Sequence, residues 1–127
     1  FPVRVYYEDT DAGGVVYHAR YLHFFERART EYLRTLNFSQ QSLLQEQQVA
    51  FVVKTMSIDY CIPAKLDDYL IVETEITAVK GATILFEQRL VRETVVLSKA
   101  TVKVACVDLG KMKPVAIPEE LKAAFLK

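Results

Sequence analysis

The chain is 127 residues long, 51 % hydrophobic and 25 % charged, and its sixteen basic and sixteen acidic side chains cancel. That length suits one core of ordinary size, and the apolar fraction is too high for disorder. No basic surplus invites nucleic acid or an acidic membrane surface, no apolar run approaches the ~20 residues of a membrane span, and no stretch has the pattern of a secretory leader. A single domain over 1–127, located in the cytoplasm, is the expectation.

Pro2 to Tyr7 is β-branched and aromatic with loose alternation, and reads as a first strand. Glu8 to Gly14 (E-D-T-D-A-G-G) is a loop by composition. Tyr21, Phe24, Phe25, Ala28, Tyr32 and Leu36 then fall on one stripe at 100° per residue, which predicts a long amphipathic helix. Arg20, Arg27, Thr30, Glu31 and Arg34 lie off that stripe, with Arg27 and Glu31 spaced to pair. Asn37 suits the close of this helix, and Ser39 the cap of a second, short one through about Gln48.

From Val49 the period changes to two. Met56, Ile58, Tyr60 and Ile62 alternate until Pro63, followed by Leu70 to Ala78, Ile84 to Leu90 and Ala100 to Cys106. Lys80-Gly81 marks a hairpin, and Pro118 opens a short helix through Phe125. Short links favour an antiparallel meander, and one long helix is available to cover it. The expected class is α+β, a long curved antiparallel sheet of about five strands wrapped around one helix. Such a sheet leaves edges unprotected, so at least a dimer is expected. Cys61 and Cys106 lie in apolar runs outside any C-x-x-C pair and are expected as small buried thiols.

The chemistry-bearing stretch is Tyr6 to Tyr21, Y-Y-E-D-T-D-A-G-G-V-V-Y-H-A-R-Y. Glycines before a helix let the backbone turn sharply and approach a ligand. The first amides of the helix lack intrahelical partners and sit at the positive end of its dipole, where they can hold a developing oxyanion. A carboxylate in the preceding loop then stands near the carbonyl carbon. The same residues also fit plain capping and turn formation, so spacing alone gives a candidate site and no more.

The run D-T-D-A-G-G-V-V-Y-H-A-R-Y with F-F-E-R-A-R-T-E-Y-L, then F-S-Q-Q, V-A-F-V-V and C-V-D-x-x-K-M-K-P, closely resembles the YbgC-type acyl-CoA thioesterases associated with the tol–pal cluster. The resemblance covers essentially the whole chain. It implies the hotdog fold, homodimers that often become homotetramers, a site at the dimer interface, acyl-CoA as substrate and no metal or organic cofactor. It places the second acid of the motif, Asp11, as nucleophile or general base, and gives His18 a role in donating to or positioning the carbonyl or water. Gly14, Val16, Tyr17 and His18 become the oxyanion and substrate-binding set, and Asp9 a structural residue. It also favours short aliphatic acyl chains.

Other residues carry weaker signals. Glu31 sits between Arg27 and Arg34 and reads as a solvated ion pair, while Glu26 is a second helix carboxylate. His18 and His23 are five apart and do not align as metal ligands on one helical face. Tyr6, Tyr7, Tyr17 and Tyr21 read as packing around the motif. Two other classes compete with acyl-CoA hydrolysis. One is thioester hydrolysis on acyl carrier protein, or dehydration, which wants its histidine and carboxylate on different subunits. The other is a non-catalytic partner of lipid-synthesis or envelope proteins.

Overall fold

The computed structural model describes residues 1–36 and 48–125. In chain order it holds β1 (Pro2–Arg4), a 3₁₀ turn (Tyr7–Asp9), α1 (His18–Thr35), β2 (Val49–Tyr60), β3 (Tyr69–Lys80), β4 (Thr83–Arg92), β5 (Val95–Asp108), β6 (Lys113–Pro114) and α2 (Glu119–Phe125). The first strand is shorter than its pattern suggests. From Tyr6 the chain leaves the sheet, because Asp9 draws the Tyr6 amide into a turn (2.9 Å). The expected cap at Asn37 and the short helix through Gln48 lie outside the described residues.

The strands run antiparallel in the order β1-β3-β4-β5-β2, with β6 a two-residue addition to β5. The meander expected from the short links is β3-β4-β5. The Gly81 turn closes its first hairpin at φ +57°, a conformation that an L side chain resists. Register shifts at Val53/Thr55 in β2 and Ile76/Ala78 in β3 bend the sheet. The curved sheet closes around α1, and this α+β architecture is the hotdog fold.

Alternation places Leu70, Val72, Ile84, Phe86, Leu90, Ala100, Val102 and Val104 on the concave face, where they meet Tyr21, Phe24, Phe25, Ala28 and Leu33 of α1. Burying each large apolar side chain contributes about 1.5–3 kcal/mol, so this contact holds the helix in the sheet. One departure from the sequence pattern sits inside the core. Arg29, at 8 % exposure, points inward and donates to Gln88 Oε1 (3.0 Å). Gln88, at 1 % exposure, donates in turn to the Phe25 carbonyl and to Thr74 Oγ1 (3.0 Å each). Burial lowers the Arg29 pKa from its ordinary value, and Glu26 partly offsets this.

The ion pairs also differ in part from expectation. Glu31 pairs with Arg34 as expected, whereas Arg27 lies over the Phe1 ring (5.9 Å) instead of pairing with Glu31. Cys106 is buried as expected, but Cys61 is exposed, because it falls just past the end of β2 and outside the sheet's inward rhythm. Among the described residues no helix is long and apolar enough to cross a membrane.

Candidate active site

The motif loop is a tight hairpin built on Asp11. The Asp11 amide donates to the Val15 carbonyl (2.9 Å), and the Gly14 amide donates back to the Asp11 carbonyl (3.0 Å). Asp11 Oδ1 accepts from the Gly13 amide (2.8 Å) and, more weakly, from that of Val15 (3.4 Å). The two glycines have separate reasons. Gly14 sits at φ +80°, and a Cβ on Gly13 would stand 3.2 Å from Asp11 Oδ1. The loop is tied to the segment after β2 by the Val16 amide to the Ala64 carbonyl (2.9 Å) and the Leu66 amide to the Gly14 carbonyl (3.3 Å). Asp11 is half-buried, and among the described residues its Oδ2 accepts no hydrogen bond.

Asp9, two positions earlier, is placed quite differently. It is buried, its Oδ2 takes the Tyr6 amide (2.9 Å), and its Oδ1 faces Arg20 Nε at 3.2 Å. The Asp9 carbonyl accepts the Tyr17 amide (3.1 Å). These contacts set the entry angle of α1.

The start of α1 decides which amides are available to a ligand. Tyr17 is its N-cap and offers no side-chain cap. The amides of Gly14, Val16 and Tyr17 are engaged by Asp11, Ala64 and Asp9, and the Arg20 amide by the Tyr17 carbonyl. Among the described residues, the His18 and Ala19 amides are left without an acceptor at the positive end of the helix dipole. Within the sequence-derived set of Gly14, Val16, Tyr17 and His18, His18 is therefore the residue whose amide stays open. Val16 is a core residue, and Tyr17 is half-exposed.

No hydrogen bond or ion pair joins the His18 and Asp11 side chains. The His18 ring lies instead on Tyr60 at the end of β2, with centroids 4.2 Å apart and planes at 18°. Tyr21 meets Tyr60 edge-on at 5.0 Å, and the Tyr21 hydroxyl accepts the Ala64 amide (3.0 Å). Burial pushes the Tyr21 pKa up, so this hydroxyl keeps its proton. Tyr60 was missed at the sequence level. It stands 42 positions from His18, and its one signal was a place in the alternation of β2.

Glu26 stands apart from this cluster. It lines a cavity of about 220 Å³ between the second half of α1 and the sheet, with Arg29, Phe51, Ile84, Phe86 and Val104 among its neighbours. Glu31 is engaged by Arg34.

Comparison with known proteins places the chain in a family. A family model described as the thioesterase-like superfamily matches residues 5–125. The acyl-CoA thioesterase YbgC of Haemophilus influenzae is 84 % identical over 125 residues, covering 98 % of this chain and 92 % of that protein. The acyl-CoA thioester hydrolase YbgC of Escherichia coli is 57 % identical over 126 residues, covering 98 % and 93 %. A crystal structure of a probable thioesterase from Bartonella henselae superposes with a TM-score of 0.88 at 40 % identity, covering 93 % of this chain and 97 % of that one. The chain belongs to the thioesterase-like superfamily, among the YbgC acyl-CoA thioesterases.

Proposed function

We propose that this chain is an acyl-CoA thioesterase that cleaves short-chain aliphatic acyl-CoA to the free acid and CoA, with Asp11 as its reacting carboxylate. The hydrolase class follows from the family and from relatives named for that activity. The observation that carries the residue assignment is a free carboxylate oxygen, Asp11 Oδ2, in a short loop leading to two open helix amides, His18 and Ala19.

In this reading the thioester carbonyl oxygen rests at the His18 and Ala19 amides, which strengthen their hold as negative charge develops. Asp11 then acts in one of two ways. It attacks the carbonyl carbon, expelling CoA thiolate and leaving a mixed anhydride for water to open, or it takes a proton from water as that water attacks. The bonds from Gly13 and Val15 to Oδ1 keep the carboxylate aimed in either case. The short-chain preference comes from the family resemblance, and the Tyr21 and Tyr60 rings packed beside His18 are in keeping with a small acyl group.

The working unit in this proposal is a homodimer, itself pairing into a homotetramer. Its support is the edge of β2, twelve residues long and unpaired on its outer side among the described residues, with Val52 and Val53 about half exposed. A free edge of that length is a ready site for a second copy to extend the sheet. Acyl carrier protein is the alternative carrier, since the thioester chemistry is the same. The setting proposed for the reaction is the cytoplasm.

The test is thiol release from short, long and aromatic acyl-CoAs and from acyl carrier protein thioesters, with light scattering for the assembly. Asp11→Ala and Asp11→Asn are expected to lose at least a hundredfold in kcat. An Asp11→Ala variant that is folded and fully active refutes the carboxylate assignment. A wild type that releases no thiol from any acyl-CoA leaves the carrier-protein or binding roles in its place.

A further inference from the structure

We propose that Tyr60 is a positioning residue for the reaction, holding the His18 imidazole in working orientation with the face of its ring. This rests on the reading of His18 and its amide given above. The helix begins without a side-chain cap, and the Asp9 contacts at Tyr17 and Arg20 flank His18 without holding its imidazole. Tyr60 holds that ring from another element. Its ring lies flat on His18 at 4.2 Å, and its hydroxyl donates to the His18 carbonyl at 3.3 Å.

Tyr60 is itself held firmly. Tyr21, at 2 % exposure, meets it edge-on at 5.0 Å. Directly opposite in register is Ser98, which is fully buried and whose hydroxyl donates to the Asp59 carbonyl (2.9 Å). Just beyond, the Cys61 and Ile62 amides both donate to the Leu97 carbonyl (2.9 and 3.0 Å). The end of β2 is thus pinned on the sheet side, and Tyr60 carries that rigidity to the helix start. A ring stack nearly parallel to an imidazole also limits the ring's rotation, and so fixes which directions its nitrogens face.

The test is a double-mutant cycle read as kcat and KM separately. Tyr60→Leu, which retains an apolar contact for Tyr21, is expected to lower kcat ten- to thirtyfold with KM changed less than threefold. Tyr60→Phe keeps the stack and is expected to stay within threefold of wild type. In a His18→Ala background, Tyr60→Leu is expected to change kcat less than threefold. A readout independent of turnover is the proton spectrum of His18, whose ring signals are shielded by the Tyr60 face and should move downfield in Tyr60→Leu.

The inference is overturned if Tyr60→Leu costs as much in the His18→Ala background as in wild type. It is also overturned if Tyr60→Phe fails as badly as Tyr60→Leu, or if the His18 ring signals do not move. A wild type that turns over acyl-CoA while Tyr60→Leu keeps pace with it removes this inference alone. A wild type that releases no thiol at all removes it together with the hydrolase reading.

Discussion

Replacing Gln88 by leucine takes away the acceptor on which a buried guanidinium depends. Arg29 is 8 % exposed, and Gln88 Oε1 is its one hydrogen-bond acceptor among the described residues. The same substitution leaves Thr74 Oγ1 without its donor. Leaving a buried charged donor without its acceptor costs about 4 kcal/mol, more than the roughly 1–3 kcal/mol of a neutral group, while burying a leucine returns on the order of 1 kcal/mol, for a net loss of about 3 kcal/mol. With an unfolding entropy of about 2.1 cal/mol/K per residue, 127 residues give roughly 0.27 kcal/mol/K, and Tm should fall by about 11 °C. The double variant Arg29→Met with Gln88→Leu replaces both partners by apolar groups of similar shape, and should recover most of that loss. Thermal unfolding by circular dichroism at one fixed protein concentration separates these cases. Fixed concentration matters because assembly would itself shift Tm. A Gln88→Leu variant that melts within 2 °C of wild type, or a double variant no better than the single, would refute the buried-network reasoning.

The two motif glycines should fail in different ways. Gly14→Ala, at φ +80° with open space around the new methyl, is expected to cost about 1–2 kcal/mol in denaturant unfolding. Gly13→Ala should leave stability nearly intact and lower kcat, because its methyl crowds Asp11 Oδ1; unchanged kinetics would show that the aim of that carboxylate is unimportant. Asp9→Ala should destabilise the fold by about 1–2 kcal/mol, since it orphans the Tyr6 amide and leaves Arg20 with the more distant Glu8 (3.8 Å); denaturant titration measures this. In the native protein a thiol reagent should label Cys61 alone, with Cys106 reacting only after unfolding. Burial raises the Cys106 pKa, so the unfolded chain sheds that proton first. Its share of stability is therefore intact below the ordinary thiol range and declines as pH rises through that range toward the folded value, which denaturant titrations across alkaline pH will show.

The parts most legible in the sequence were those set by local rules. The period change at Val49 located the sheet, the apolar stripe located α1, and D-T-D-A-G-G located the loop. What stayed hidden depends on contacts between distant positions. Tyr60 meets His18 across 42 residues, and nothing along the chain says which end of β2 faces the helix start. Which amides remain open was also invisible, because Ala64, on the far side of β2, takes the Val16 amide. The Arg29 network did leave a trace. Arg29 is four residues from both Phe25 and Leu33, and Gln88 alternates between Phe86 and Leu90, so each is a polar residue at an inward position. Two such exceptions on different elements are the signature of a buried pair. A stripe drawn only through apolar residues passes over it.

The strand order also has a consequence for how the chain acquires its shape during synthesis. β3, β4 and β5 are joined by two tight hairpins, with Lys80 opposite Thr83 and Arg92 opposite Val95. β2 must wait for partners 38 positions away at Tyr60–Ser98 and 59 away at Val49–Asp108, and β1 for β3, 69 positions on at Pro2–Ile71. Local pairings close quickly and distant ones slowly. The amino-terminal third therefore leaves the ribosome with the apolar face of α1 uncovered and no sheet to receive it. The carboxyl-terminal meander is expected to form first, and the segment carrying the Asp11 loop to dock onto it last, so any delay in translating β4 and β5 prolongs the interval in which that helix is prone to aggregate.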